Sequence, residues 1–242
     1  IFAMQSRSDR HDVVYFAWPG LPRPAVVRSV MELPTQHRRV HAVFGREATP
    51  LDLLADLDLS LVEVPVAKTI AELSALQTKV ADAVLATCAA SLSTIGEEIG
   101  ACAVLAPSLP ADVRVPRKLS LHIHERLKSG AAFADYRALG AFMKRVRLEV
   151  GATYPLASRA LDVNVYKPNG SMRMFGSVRP DGSGAMQLLS AATVPWCNVT
   201  AAEVACDMSL GCSPPSPHRL LSIETLGFAT PTAAADAAAK VQ

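Results

Sequence analysis

Apolar and polar residues alternate most sharply in three segments: LLADLDLS (53–60), KLSLHIH (118–124) and LDVNVYKPNGSMRMFGSVR (161–179). Side chains on a strand repeat every two residues, so Asp56 and Asp58 share one face. By the same rule Ser120, His122 and His124 share a face, and so do Asp162, Asn164 and Tyr166. Residues 1–4 and 13–18 read as a hairpin around the polar SRSDRHD. Residues 39–44 predict a strand leading to the DLD strand at 51–59. From Thr69 to about Ala90 the apolar positions (Ile70, Leu73, Leu76, Val80, Val84, Leu85) recur at three and four, the period of an amphipathic helix. Thr69 with Glu72 three residues later is a capping-box pattern for its start. ACAVLA, within the Gly- and Pro-punctuated stretch 96–116, is strand-like, and a second helix is predicted over about 132–150 on Phe133, Leu139, Phe142, Met143 and Val146. A strand at 160–166 is expected to turn at Lys167-Pro168-Asn169-Gly170 and return through MRMFGSV. A second hairpin turn, Pro180-Asp181-Gly182, precedes MQLLSA, and Thr200 caps a helix ahead of the loop SPPSPH. Helices mixed with antiparallel hairpins predict an α+β fold, a mostly antiparallel sheet with flanking helices.

Composition narrows the class. Half of the 242 residues are hydrophobic, enough for one large domain or two small ones to bury a core. No apolar run reaches the ~18–20 residues of a membrane span, so no membrane partner is expected. The sequence starts at Ile1 rather than Met and stops inside the Ala-rich AAADAAAKVQ, which reads as a domain from a longer protein. Net charge is only +2, but the basic residues cluster. Arg38, Arg39, His41 and Arg46 precede the first segment, Arg114, Arg117 and Lys118 lead into the second, and Lys144, Arg145 and Arg147 follow it. Basic clusters beside acidic strand positions suit a polyanion held next to a metal site, although any one cluster alone is ordinary solvated charge.

The three segments carry the chemistry. Two aspartates on a strand of Leu and Ala are costly to bury without partners, and Mg²⁺ accepts such carboxylates together with phosphate oxygens. The plain alternative is a strand end facing solvent, with Asp52 as one more exposed carboxylate. Lys118, Ser120 and a protonated His122 all donate hydrogen bonds to phosphate; zinc on His122 and His124 lacks further ligands nearby. Asp162 repeats the carboxylate pattern, and the following chain brings Arg173, Ser177 and Arg179. Cations to neutralise a triphosphate and arginines to hold it are then both present.

In order, spacing and flanks these residues resemble the PrimPol branch of the archaeo-eukaryotic primases. The matching positions are Asp56-Leu57-Asp58, Ser120-Leu121-His122 with Lys118 ahead of it, and Asp162 followed without a gap by Val165-Tyr166, Asn169, Met172-Arg173, Ser177 and Arg179. IFAMQS and HAVFGREATPLDLLADLDL resemble the family's N-terminal strands, so the likeness spans about residues 1–190. It implies a catalytic domain over 1–242, with an N-terminal subregion (about 1–50), an RRM-like primase core (about 51–190) and an extension (about 191–242). It implies that Asp56, Asp58 and Asp162 are catalytic and hold two Mg²⁺ or Mn²⁺ ions. Lys118, Ser120, His122, Arg173, Ser177 and Arg179 would bind the nucleotide. The implied activity is template-dependent nucleotidyl transfer, as a DNA primase or damage-tolerant DNA polymerase. A single-stranded template, a primer terminus and dNTP or NTP would be its partners, in the nucleus or mitochondrion. Three positions depart from the pattern: Gly170 stands where a basic residue is frequent, Met172 replaces an aromatic, and Arg179 replaces lysine.

Two other readings compete. A nucleic-acid-binding scaffold of the same fold that has lost activity fits Gly170 and the low aromatic content. A metal-dependent phosphohydrolase would use the same carboxylates, but the Lys-Ser-Arg set favours holding a triphosphate over attacking it with water. Cys197, Cys206, Cys212 and His218 lack a Cys-x-x-Cys pair, so zinc is not expected. The odd count of five cysteines does not read as a disulfide framework.

Overall fold

The computed structural model describes residues 2–5, 13–16, 23–109, 116–206 and 217–227. In chain order the elements are β1 (Phe2–Gln5), β2 (Val13–Phe16), α1 (Arg23–Glu32), β3 (Val40–Val43), β4 (Leu53–Ser60), α2 (Ile70–Ser93) and β5 (Ile99–Pro107). They continue with β6 (Lys118–Leu127), β7 (Ala132–Phe133), α3 (Tyr136–Thr153), α4 (Pro155–Ala160), β8 (Ser171–Arg173), β9 (Met186–Leu188), α5 (Ala201–Cys206) and β10 (Leu220–Leu221). The fold is α+β. Two four-stranded sheets, ordered β2-β1-β3-β8 and β4-β6-β5-β9, are antiparallel throughout. A short parallel pair joins β7 to β10.

Alternation in β4 and β6 sorts the second sheet into two faces. Leu53, Ala55, Leu57 and Leu59 of β4 are buried with Leu119, Leu121 and Ile123 of β6, in a core shared with α2, α3 and α4. The opposite face keeps the polar positions. Helix α2 begins as expected: the Thr69 side chain accepts the Glu72 N–H at 3.1 Å, and Glu72 Oε2 accepts the Thr69 N–H at 3.1 Å. Thr200 and Glu203 repeat the arrangement at α5. Helix α3 starts four residues later than predicted, because Ala132 and Phe133 pair with β10 and Asp135 caps Tyr136 onward. Helices α1 and α4 were not foreseen. The SRSDRHD turn lies outside the described residues, but β1 and β2 pair as a hairpin requires.

The strand expected at 160–166 does not form. Leu161 makes a single bridge to Leu57, and Val163–Val165 winds into one 3₁₀ turn capped by the Asp162 carboxylate, which accepts the Asn164 N–H at 2.9 Å. Asp162, Asn164 and Tyr166 therefore share no strand face. Asx-type capping outcompeted alternation here. The turn at 167–170 is made, but it delivers β8 to β3, pairing His41 with Arg173, rather than back onto 160–166. The second predicted turn is made at 179–182, with Gly176 and Ser177 bonded to Met186 across it, but β8 and β9 do not pair with each other and join different sheets.

Delivery of β8 to β3 depends on two backbones in contact. Phe44 and Gly45 both donate to the Gly170 carbonyl, and Asn169 donates to Gly45 O. A Cβ on Gly170 would lie 2.1 Å from Val165 O, and one on Gly45 would lie 2.1 Å from Lys167 O. No side chain fits at Gly170. Gly170→Ala is expected to destabilise the fold by roughly 3 kcal/mol through overpacking. The check is a lowered urea midpoint at constant m-value; an unmoved midpoint would mean the two loops separate freely.

Candidate functional site

The polar face of β4 and β6 is set by register. Asp56 stands opposite His122 and Asp58 opposite Ser120. Lys118 Nζ donates to Asp58 Oδ2 at 2.5 Å. His122 Nδ1 lies 3.3 Å from the carbonyl oxygen of Arg173 on β8, which can only accept, so Nδ1 carries the proton. The other ring nitrogen, Nε2, is then an acceptor, 3.6 Å from Asp56 Oδ1. Burial, then the Arg173 cation, push the His122 pKa down to about 3. The expectation of a protonated, phosphate-donating histidine is thus not met in this state: the ring is neutral and its N–H is spent on the backbone.

Asp162 reaches the same place by a different route. The Leu57–Leu161 bridge and an Asp162 N–H bond to Asp56 O (2.9 Å) fix its backbone beside β4. The three carboxylates feel one another. Burial first, then Asp58 and Asp162, raise the Asp56 pKa to about 7, with Lys118 and Arg173 pulling the other way. Asp56 Oδ1 and Asp58 Oδ1 are buried with no hydrogen-bond partner among the described residues. Repelling carboxylates with orphaned oxygens are a donor set for hard divalent cations such as Mg²⁺ or Mn²⁺. Among the described residues, however, no group of three or more His, Cys, Asp or Glu forms a ready metal cage. The residues fit the ion in chemistry; the cage itself is not preformed.

The basic residues divide between two clefts that meet at Lys118. One, of about 160 Å³, is lined by Lys118, Ser120, Arg179, Gln77 and Ser108. The other, of about 400 Å³, is lined by Lys118, Asp58, Asp162, Arg147 and Arg159. Arg173 lies between the sheets, its Nη1 donating to Gly184 O at 2.9 Å and its pKa lowered to about 10 by burial and then by Arg179. Ser177 is fully buried with Oγ unpartnered, so a nucleotide reaches it only if the turn between β8 and β9 opens.

His41 was grouped with a basic cluster in the sequence and turns out to be a neutral residue of this site. Cross-strand pairing sets it beside Arg173, and burial, then that cation, lower its pKa to about 4. Only the register of β8 on β3, which no local pattern encodes, could have found it. His124 belongs elsewhere: its Nε2 lies 3.4 Å from Asp52 Oδ2, which also accepts from Arg126 Nη2 at 2.9 Å. Asp52 is 2% exposed, so the solvent-facing alternative fails for that carboxylate. Cys197 is buried with its sulfur accepting the Val104 N–H, Cys206 ends α5, and Cys212 lies outside the described residues. Neither a protein-family model nor a curated protein matches the chain.

Proposed function

We propose that this face is the active site of a two-metal, template-dependent nucleotidyl transferase built on the PrimPol-type primase core. One observation carries the reading: Asp56, whose pKa is raised by burial and then by Asp58 and Asp162, and Asp58 each keep an unpartnered oxygen among the described residues, beside a cleft lined by lysine, serine and arginine. Asp56, Asp58 and Asp162 would hold the divalent cations. Bound there, those cations would acidify a 3′-hydroxyl and neutralise charge on the α-phosphate and the leaving pyrophosphate. The chain's own residues do the rest. Lys118, Ser120 and Arg179 hold the β and γ phosphates, and Arg173 adds a cation from the opposite sheet. Burial first, and the Arg173 charge after it, keep His122 neutral; a bound polyphosphate offsets the Arg173 charge, so nucleotide binding favours protonating His122 toward the phosphates. Initiating a new strand makes a second nucleotide stand in for the primer terminus.

The second reading, an inactive nucleic-acid-binding scaffold, is favoured by one observation: Gly170 has no room for the basic side chain frequent at that position. Calorimetry separates the two. The catalytic reading expects dNTP binding that requires Mn²⁺ or Mg²⁺, weakened roughly tenfold or more in Arg173→Ala and His122→Ala. Metal-independent binding, or none, rejects it.

A further inference from the structure

We propose that the cleft on the α3–α4 side of the carboxylates holds the strand supplying the attacking 3′-hydroxyl, with Arg147 and Arg159 gripping the phosphodiesters next to its terminus. The inference rests on the nucleotidyl-transfer reading above and assigns the second substrate of that same site.

Geometry supplies the first argument. In displacement at phosphorus the attacking and leaving oxygens lie roughly in line, on opposite sides of the atom attacked. Lys118, which lines both clefts, sits where they meet, and its ammonium holds Asp58 of the second cleft. If Ser120 and Arg179 take the polyphosphate on one side, the nucleophile must come from the other, and that side is the cleft containing Asp162, Arg147 and Arg159.

Charge supplies the second. Arg159 is exposed near the end of α4 and has no hydrogen bond or ion pair among the described residues. Arg147 is half-buried, and its Nε donates to Ser158 O at 3.1 Å, which fixes the guanidinium while leaving both terminal amines unbonded among the described residues. Both arginines line the same cleft as Asp58 and Asp162, yet neither forms a salt bridge with them. Their donors are left for an external anion. Glu63 lines the cleft too and opposes any anion there. Once cations neutralise Asp58 and Asp162, the balance turns positive, and a planar fork suits a phosphodiester.

The test pairs variants with separate Michaelis constants for primed template and for dNTP. Arg159→Ala is expected to raise the KM for primed template roughly tenfold or more, leaving the dNTP KM within about twofold. Arg179→Ala should show the reverse. Affinity for primed single-stranded DNA without nucleotide, read by fluorescence anisotropy, should fall in parallel in Arg159→Ala. A primer whose last internucleotide linkage is a neutral methylphosphonate should show a raised KM with the unaltered protein and no further rise with Arg159→Ala. Arg147→Ala also removes the anchor on Ser158, so Arg159→Glu, at an exposed position, serves as the second variant. Unchanged primer affinity and KM in both Arg159 variants overturn this inference and leave the parent reading standing. Absence of both incorporation and metal-dependent dNTP binding in the unaltered protein overturns the parent reading, and this inference with it.

Discussion

Asp56→Asn is expected to abolish metal-dependent nucleotide incorporation and, at the same time, to melt at a higher temperature near pH 8 without metal. Both effects have one source. The Asp56 side chain is 13% exposed, and burial first, then Asp58 and Asp162, raise its pKa to about 7 against an ordinary value of 3.8. A carboxylate whose pKa is raised in the folded state binds its proton more tightly there than in the unfolded chain. Stability therefore declines as pH climbs from 3.8 toward 7, and above 7 the folded protein carries the full cost of that buried charge. Asparagine keeps the shape and removes the charge. For a chain of this size each kcal/mol regained moves the melting temperature by about 2–4 °C. Activity should fall by at least about a thousandfold under the proposed role of Asp56 as a metal ligand, since the charge on that ligand is lost. Mn²⁺ should raise the melting temperature of the unaltered protein and not that of Asp56→Asn, because a ligand that binds only the folded state stabilises it by mass action. Equal metal-induced shifts in the two proteins would place the cation elsewhere.

Glu125 gives the second large effect, and it lies on β6, on the opposite face of the same sheet. It pairs with Leu53 on one side and Cys102 on the other, within the core, fully buried, with both carboxylate oxygens unpartnered among the described residues. Burial alone pushes its pKa up to about 8 from 4.5. The sign follows as for Asp56: stability is lost progressively between pH 4.5 and about 8, at about 1.4 kcal/mol per tenfold change in proton concentration. Glu125→Leu replaces an unpaired polar group by apolar volume among leucines and should remove that pH dependence. The expected gain near pH 8 is several kcal/mol, read as a rise in urea midpoint that shrinks as pH approaches 4.5. Coincident pH–stability profiles for the two proteins would show that Glu125 has a partner or solvent access. The same carboxylate, after burial itself, helps hold the Cys88 and Cys102 thiols protonated, which predicts that both are inert to alkylation in the folded protein.

The parts legible in the sequence were those governed by local periodicity. Period-two alternation placed Asp56, Asp58, Ser120 and His122 on one face, and the β4–β6 register made them neighbours. Thr69 with Glu72 announced the start of α2 to the residue. Where local signals compete, alternation misleads. The pattern around Asp162 suggests a strand, but a short carboxylate that accepts the backbone N–H two residues on favours a turn, and the turn won. Its arrival beside Asp56 comes through one bridge and one backbone bond rather than a strand face. Non-local pairing was out of reach altogether. Nothing near His41 foretells that Arg173 will lie across from it, and nothing near Gly45 foretells the crossing that excludes a side chain at Gly170. The alternation read from the sequence ends at His124, while the β5–β6 ladder continues through Glu125 to Leu127 and carries that carboxylate into the core. Helix α1 escaped notice because RPAVVRSVME carries no sustained apolar stripe.

The most direct test of the central claim is templated incorporation on a primed single-stranded DNA with Mn²⁺ or Mg²⁺, comparing the unaltered protein with Asp56→Ala/Asp58→Ala. The unaltered protein is expected to add the complementary nucleotide, an activity lost on chelation of the metal and absent in the double variant. Incorporation that persists undiminished in the double variant, or no incorporation by the unaltered protein under either metal, would contradict it.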